Sequence, residues 1–206
     1  MARYTGPRLK LMRAVGMQLP GLSRKSIERR PNPPGVKEGR FRKKKSEFGT
    51  QLLEKQKLRY NYGISEKYLR KVVGEAFTSR GHSGHKLLEI LESRLDSVVF
   101  RAGFAPTIPA ARQLVSHNHI RVDGKRVNIA SYRVRKGQVV TITDKCAKLP
   151  MVVDTIERPA LSRPAWLTFN TDTRTAQVIS APDRDSFPFA IEVNLVVEYY
   201  ARSVKR

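Results

Sequence analysis

Apolar residues in this chain follow a helical spacing in its middle, an alternating one just beyond, and neither at its two ends. From Ser46 to Ser116 they recur three and four apart, which places them on one face of an α-helix. Phe48, Leu52 and Tyr62, with Leu53 and Leu58 beside them, mark such a face before Gly63 and leave Lys55, Lys57 and Arg59 outside. Ser65 reads as the cap of the next helix, where Leu69, Val72, Val73, Ala76 and Phe77 turn inward and Lys67, Arg70 and Lys71 outward. Residues 80–84 read as a loop, and Ser83 as the cap of a helix carrying Leu88, Leu91, Leu95, Val98, Val99 and Ala102. A break in it is expected near Glu92-Ser93, and Gly103 stops it. Thr107 then suits an N-cap accepting from the N–H of Ala110, with Pro109 in a first turn that needs no donor. Ala111, Leu114 and Val115 form the buried stripe of that helix.

Beyond it the rhythm changes to alternation. Ile120 and Val122 lead into Asp123-Gly124, a strong two-residue hairpin signal, and Val127 and Ile129 are expected on the return strand. Another strand is expected from Val139 to Ile142, after the Lys136-Gly137-Gln138 turn. Further on, Pro150, Pro159 and Pro164 punctuate the chain. Residues 165–169 and 176–179 read as short strands pairing across a polar turn. Residues 191–199 fit both periods: alternation favours a strand, whereas Ile191, Leu195, Val196 and Tyr199 favour a helix. The pattern predicts an α+β chain in three parts. A basic extended arm covers 1–45, and an all-helical domain covers 46–91. A small αβ module covers 92–179, with two helices on a short-stranded antiparallel sheet.

Charge narrows the function. The chain has 206 residues, 40 of them Lys or Arg against 18 acids, for a net charge of +22. Such an imbalance implies a polyanionic partner, most often nucleic acid and less often an acidic membrane. It is unevenly placed: residues 1–50 carry +11, 51–100 +3, 101–150 +8, and the last 56 are neutral. Nucleic acid should therefore touch the arm and the central module most. In the arm, Pro31, Pro33 and Pro34, then Gly35 and Gly39, precede a basic run around Phe41, and so polar a segment is expected to be ordered by contact with RNA. The single cysteine, Cys146, allows no internal disulfide and suits a reducing compartment. No apolar run is long enough for a bilayer, so no membrane partner is expected. The acid-free first 27 residues have a transit-peptide composition, but Gly6, Pro7, Gly16, Pro20 and Gly21 would break the amphipathic helix that reading needs.

Candidate chemistry is sparse. His82 and His85 lack further ligands nearby, so no metal is expected. Cys146 has no base or second thiol to activate it. His117 and His119, at the exit of a helix, suit either base or phosphate contact or a structural role. The polar residues around the module's small core are nearly all cationic or neutral donors, opposed only by Asp96 and Asp123.

The stretch RLDSVVFRAGFAPTIPAARQLVSHNHIRVDGKRVNIASYRV resembles the RNA-binding module named after the fourth protein of the small ribosomal subunit. The resemblance to that ribosomal protein's family extends from MARYTGPRLKLMR to LVVEYYAR, over essentially the whole chain. It implies a bacterial or organellar, zinc-free, non-catalytic member that binds small-subunit ribosomal RNA at a multi-helix junction. It implies early assembly of the subunit body, support of translational accuracy, and ribosome-bound localisation in the cytoplasm or an organelle. It further implies a neighbouring fifth small-subunit protein, messenger RNA nearby, and a C-terminal helix, within 180–206, that returns to the helical domain. Some relatives hold zinc in the arm; here the matching positions are Leu9, Met12 and, near a later one, Ser26, so no cofactor is expected. The RLD tripeptide also resembles that of pseudouridine synthases, whose Asp is the nucleophile. Asp96, however, lies inside the module and is expected to pair with Arg94 or another arginine. An RNA-modifying enzyme and a free-standing RNA chaperone are the rival classes.

The side chains expected to meet RNA are, in the arm, Arg3, Tyr4, Arg8, Lys10, Arg13, Arg40, Arg42, Lys43, Lys44 and Lys45. In the helical domain they are Lys55, Lys57, Arg59, Tyr62, Arg70 and Lys71. In the module they are Arg94, Arg101, Thr107, Arg112, Gln113, His117, His119, Arg121, Lys125, Arg126, Tyr132, Arg133 and Lys136. Charge reversal at Arg112 and Lys125 is expected to weaken binding with little loss of fold.

Overall fold

The computed structural model describes residues 4–35, 45–183 and 187–204. The chain divides into two units, residues 1–87 with 189–206, and residues 88–188.

The first unit is helical. It contains α1 (Arg8–Val15), α2 (Glu47–Asn61), α3 (Glu66–Thr78) and α9 (Val193–Val204), with the start of α4 (Ser83–Glu92), inside which the division falls. Ser46 caps α2 by accepting from the Gly49 N–H at 3.2 Å, and Ser65 caps α3 by accepting from the Tyr68 N–H at 3.3 Å. The alternative of a strand at 191–199 is settled as helix, because Val196 and Tyr200, one turn apart, are both buried.

The face that α2 buries is the expected one only towards its end, where Leu58 and the adjoining Tyr62 are buried. Phe48 is 54% exposed, while Gln51, Glu54, Lys55 and Leu58 turn inward. Their polar groups are matched by partners remote in sequence: Gln51 donates to Glu198 at 3.1 Å, the Lys55 ammonium donates to Glu66 at 3.1 Å, and Glu54 accepts from the Glu192 N–H at 3.2 Å. Buried charge is tolerated where it is paired and hydrogen-bonded.

The arm also differs from expectation. Residues 8–22 build a small apolar cluster of Met12, Val15, Leu19 and Leu22, covered by Leu53, Tyr60 and Phe189. Gly16, at φ 76°, ends α1 and returns its N–H to the Met12 carbonyl at 2.9 Å. Asn61 accepts from the Gly21 N–H at 2.9 Å in a buried site. Cover from elsewhere in the chain supplies the burial that the arm's own composition lacks.

The second unit carries α5 (Leu95–Ala102), α6 (Ile108–Ser116), β1 (Ile120–Val122), β2 (Lys125–Arg126), β3 (Val139–Ile142), α7 (Asp144–Ala147), α8 (Pro150–Glu157), β4 (Leu167–Asn170) and β5 (Thr175–Val178). Among the described residues these strands form one antiparallel sheet in the order β2-β1-β3-β5-β4. Gly103, at φ 86°, closes α5, and Thr107 caps α6 by accepting from Ala110 at 3.4 Å. Ile120, Val122, Val140, Ala176 and Val178 line the buried face of the sheet, and Trp166 is also buried. Arg163 staples the unit: its guanidinium donates to the Ala102 and Ile156 carbonyls at 3.0 and 3.1 Å and lies 4.0 Å over the Phe169 ring. The return strand stops at Arg126, leaving Ile129 60% exposed. The helices α7 and α8 were not expected; Pro150 opens α8 rather than breaking the chain, since a first-turn proline gives up no helical bond.

Candidate nucleic-acid interface

In the second unit the exposed cations gather on loops that the sheet holds in place. Pairing of β1 with β2 puts Lys125 and Arg126 on the return side of the Asp123-Gly124 turn, where both residues adopt positive φ, 49° and 77°. Pairing of β1 with β3 aligns Val122 with Val140 and brings the Arg135–Gln138 turn alongside. Lys125, Arg126, Arg135 and Lys136 are exposed, and Arg121, Tyr132 and Arg133 are half-buried. Asp123 is the acid at this point. The Val139 N–H and the Gln138 amide donate to it, and with nearby Lys125 they hold its carboxyl below the ordinary range. On α6 and its exit, Gln113 and His117 are exposed and His119 half-buried, with the two imidazole centroids 6.3 Å apart.

In the first unit α3 presents Lys67, Arg70 and Lys71 around a shallow surface cavity of about 490 Å³, completed by Ser65, Tyr68 and Gly74. On α1, Arg8 and Lys10 are exposed, as are Tyr4 and Lys45, while half-buried Arg13 donates to the Asn32 carbonyl at 2.8 Å. Arg59 is half-buried. Arg24, Lys25, Arg29 and Arg30 are also exposed. They were missed because they flank no helical face, although the Arg29-Arg30 tandem was a signal. Lys67, read as outward, and Arg135 are exposed beside Arg70 and Lys136 respectively. Arg3, Arg40, Arg42, Lys43 and Lys44 lie outside the described residues.

Several expected contact residues are instead part of the scaffold. Arg94 is 0% exposed and binds Asp96 through two bonds, Nε to Oδ1 at 3.0 Å and NH2 to Oδ2 at 2.7 Å. Arg112, with 19% of its side chain exposed, reaches the same carboxylate at 2.8 and 3.2 Å, and Asp96 also accepts from the Ser97 N–H at 3.1 Å. Arg101 is buried against Glu92 at 3.3 Å. Lys55 is buried beside Glu66, Lys57 pairs with Glu54, Tyr62 is core, and the Thr107 hydroxyl is spent on its cap. Tyr62 and Thr107 keep the inward and capping places their spacing gave them, and Arg94 the expected pair with Asp96; Lys55, Lys57, Arg101 and Arg112 were read as outward because helical spacing reveals a face but not the acid beside it. Charge reversal at Arg112 would put a carboxylate against Asp96, so the expected small loss of fold does not suit that position.

Asp96 is fully buried under two guanidinium groups, a position that denies it a substrate. Burial pushes the Cys146 thiol up to about 11, so it is not a thiolate near neutrality. Of the positions that the resemblance matched to a zinc site, Met12 is buried in the apolar cluster and Leu9 packs against it, a pair that offers no donor fitting the metal. Among the described residues no group of three His, Cys, Asp or Glu could hold a metal ion.

Comparison with known proteins agrees with this layout. The family described as "S4 domain" matches residues 93–140, and "Ribosomal protein S4/S9 N-terminal domain" matches residues 3–92. The chain is 54% identical over 202 residues to the small ribosomal subunit protein uS4 of Methylobacillus flagellatus, covering 98% of each. It is 52% identical over 202 residues to uS4B of Nitrosomonas europaea, again covering 98% of each. It is 47% identical over 205 residues to uS4 of Synechococcus elongatus, covering 99% of this chain and all of the relative. Such identity, sustained from end to end on an α+β fold, shows that the chain belongs to the uS4 family of small ribosomal subunit proteins.

Proposed function

We propose that this chain is a structural, non-catalytic component of the small ribosomal subunit that binds small-subunit ribosomal RNA directly and helps assemble the subunit body. One observation carries the reading: in the second unit, exposed cations crowd two adjoining turns while the acids near them, Asp96 and Asp123, are engaged by internal hydrogen bonds. A surface of one sign held on rigid turns suits RNA backbone placed by shape, with phosphates doing most of the positioning. The α3 cations and those of α1 extend the same chemistry to the first unit. RNA modification is disfavoured by the sealed position of Asp96.

Family membership supports finer proposals. The RNA partner is a folded multi-helix junction, the nearest protein partner is the fifth small-subunit protein, and messenger RNA passes nearby. The chain then resides on ribosomes. Sedimentation of ribosomal subunits from the source cells tests this. The chain should be present at one copy per small subunit and remain after a high-salt wash. Recovery only in free fractions, or on large subunits, would overturn it.

A further inference from the structure

The two cationic turns of the second unit are anchored very differently. The Arg135–Gln138 turn is tied into the sheet: the Gly137 N–H donates to the Val178 carbonyl at 2.7 Å, and the Val178 N–H donates to the Gln138 carbonyl at 3.1 Å. The Asp123-Gly124 turn sits at the end of an edge hairpin whose second strand is Lys125–Arg126 alone. A ladder that short is marginal by itself. Four exposed cations, Lys125, Arg126, Arg135 and Lys136, share the two turns, so like-charge repulsion favours splaying them.

A backbone bond from the Asp123 N–H to the Val139 carbonyl at 2.9 Å joins the two turns, and two side chains, Asp123 and Gln138, span them. The Gln138 amide nitrogen donates to Asp123 Oδ2 at 2.7 Å and lies 3.3 Å from the Tyr132 hydroxyl. Its carbonyl oxygen accepts from the Arg135 N–H at 2.9 Å. Asp123 Oδ1 meanwhile accepts from the Val139 N–H at 2.9 Å. Both ends of one amide are thereby used, one on each turn.

We propose that Gln138 is a positioning residue for RNA binding: it latches the edge hairpin to the anchored turn, so that the cations of both face one stretch of phosphate backbone with Tyr132 beside them. The assignment rests on the RNA-binding function proposed above and adds a residue that carries no charge. The latch acts before RNA arrives, removing the cost of gathering like charges during binding.

The test uses the full chain and filter binding to small-subunit ribosomal RNA over a salt series, with urea unfolding followed by Trp166 fluorescence as the check on fold. Gln138→Leu and Gln138→Glu should each weaken binding about tenfold and reduce the salt slope by about one, as for loss of one phosphate contact. Asp123→Asn with Gln138→Glu exchanges donor and acceptor, keeps every bond of the latch and restores the original charge, so binding should recover. Gln138→Glu with Asp172→Asn has that same charge without the latch and should stay weak. Unaltered binding by both Gln138 variants, or equal recovery in the two double variants, would overturn the assignment alone. Failure of the unaltered chain to bind would overturn the RNA-binding reading and this assignment with it.

Discussion

Replacing Asp96 with alanine should unfold the second unit far more readily while leaving its surface cations in place. The carboxylate sits at 0% exposure and accepts from Arg94 at 2.7 and 3.0 Å, from Arg112 at 2.8 and 3.2 Å, and from the Ser97 N–H at 3.1 Å. Arg94 is equally buried, so the alanine variant strands a guanidinium in the interior without its carboxylate. Breaking a buried ion pair from one side costs about 3–5 kcal/mol, a large share of the roughly 5–15 kcal/mol that holds a domain together. With a urea slope of about 2 kcal/mol per molar, the midpoint should fall by about 2 M. Trp166 is the only tryptophan, is 2% exposed and lies in the same unit, so its fluorescence reports this transition. Replacing the charged set by apolar residues, Asp96→Leu with Arg94→Met and Arg112→Leu, should recover much of the loss, because a buried ionic cluster contributes little net stability over a packed apolar one. A midpoint shift under about 0.5 M for Asp96→Ala would refute the account of Asp96 as a structural counter-charge.

Further expectations concern the helical unit and the α6 cap. Burial pushes the Glu66 carboxyl up, but bonds from Tyr200 and Lys55 and the charges of Lys55 and Arg59 outweigh it, leaving the group below its ordinary 4.5. The stability it lends is therefore full above that value and lost as pH falls through the lower, folded one. Protection of α9 against hydrogen exchange, taken relative to the intrinsic rate, should fall in the unaltered chain as pH drops below the ordinary 4.5, whereas Glu66→Gln should be less protected already near neutrality and change less on acidification. Met12→Ala empties the centre of the α1 cluster and should cost about 2–5 kcal/mol locally, read as loss of protection in α1 with α5 unaffected. Thr107→Ala removes the α6 cap and should cost about 1 kcal/mol, measured by Trp166 unfolding.

What the sequence revealed was local. Ser65 and Thr107 cap the helices they were expected to cap, whereas Ser83 is the first helical residue of α4 rather than its cap, and Asp123-Gly124 forms the two-residue turn its identity demands. Each signal lies within a few residues of the structure it specifies. The misses share the opposite property. The face of α2 is set by Glu66, Glu192 and Glu198, and the last two lie more than 130 positions away. The α1 cluster depends on Leu53, Tyr60 and Phe189, so its own proline- and glycine-rich sequence reads as an arm. Periodicity also hides ion pairs. The pairing of Asp96 with Arg94 was foreseen, but Arg101 and Arg112 look like surface cations until Glu92 and Asp96 are placed beneath them. The candidate interface was legible in outline at Lys125, Arg126 and Lys136, where turns force exposure. It was not legible at Gln138, which carries no charge and whose partner Asp123 lies 15 residues upstream.

Fixed positive charge on this scaffold, in the function proposed, holds folded small-subunit RNA without altering it. The affinity of the purified full chain for that RNA can be measured across a salt series, and the bound RNA then examined for modified bases. With roughly six to ten phosphates engaged, the logarithm of affinity should fall linearly with the logarithm of salt, losing about 10³-fold or more between roughly 50 and 200 mM, and every base should be unchanged. Affinity indifferent to salt, no binding at the lowest salt, or a modified base in the recovered RNA would contradict it.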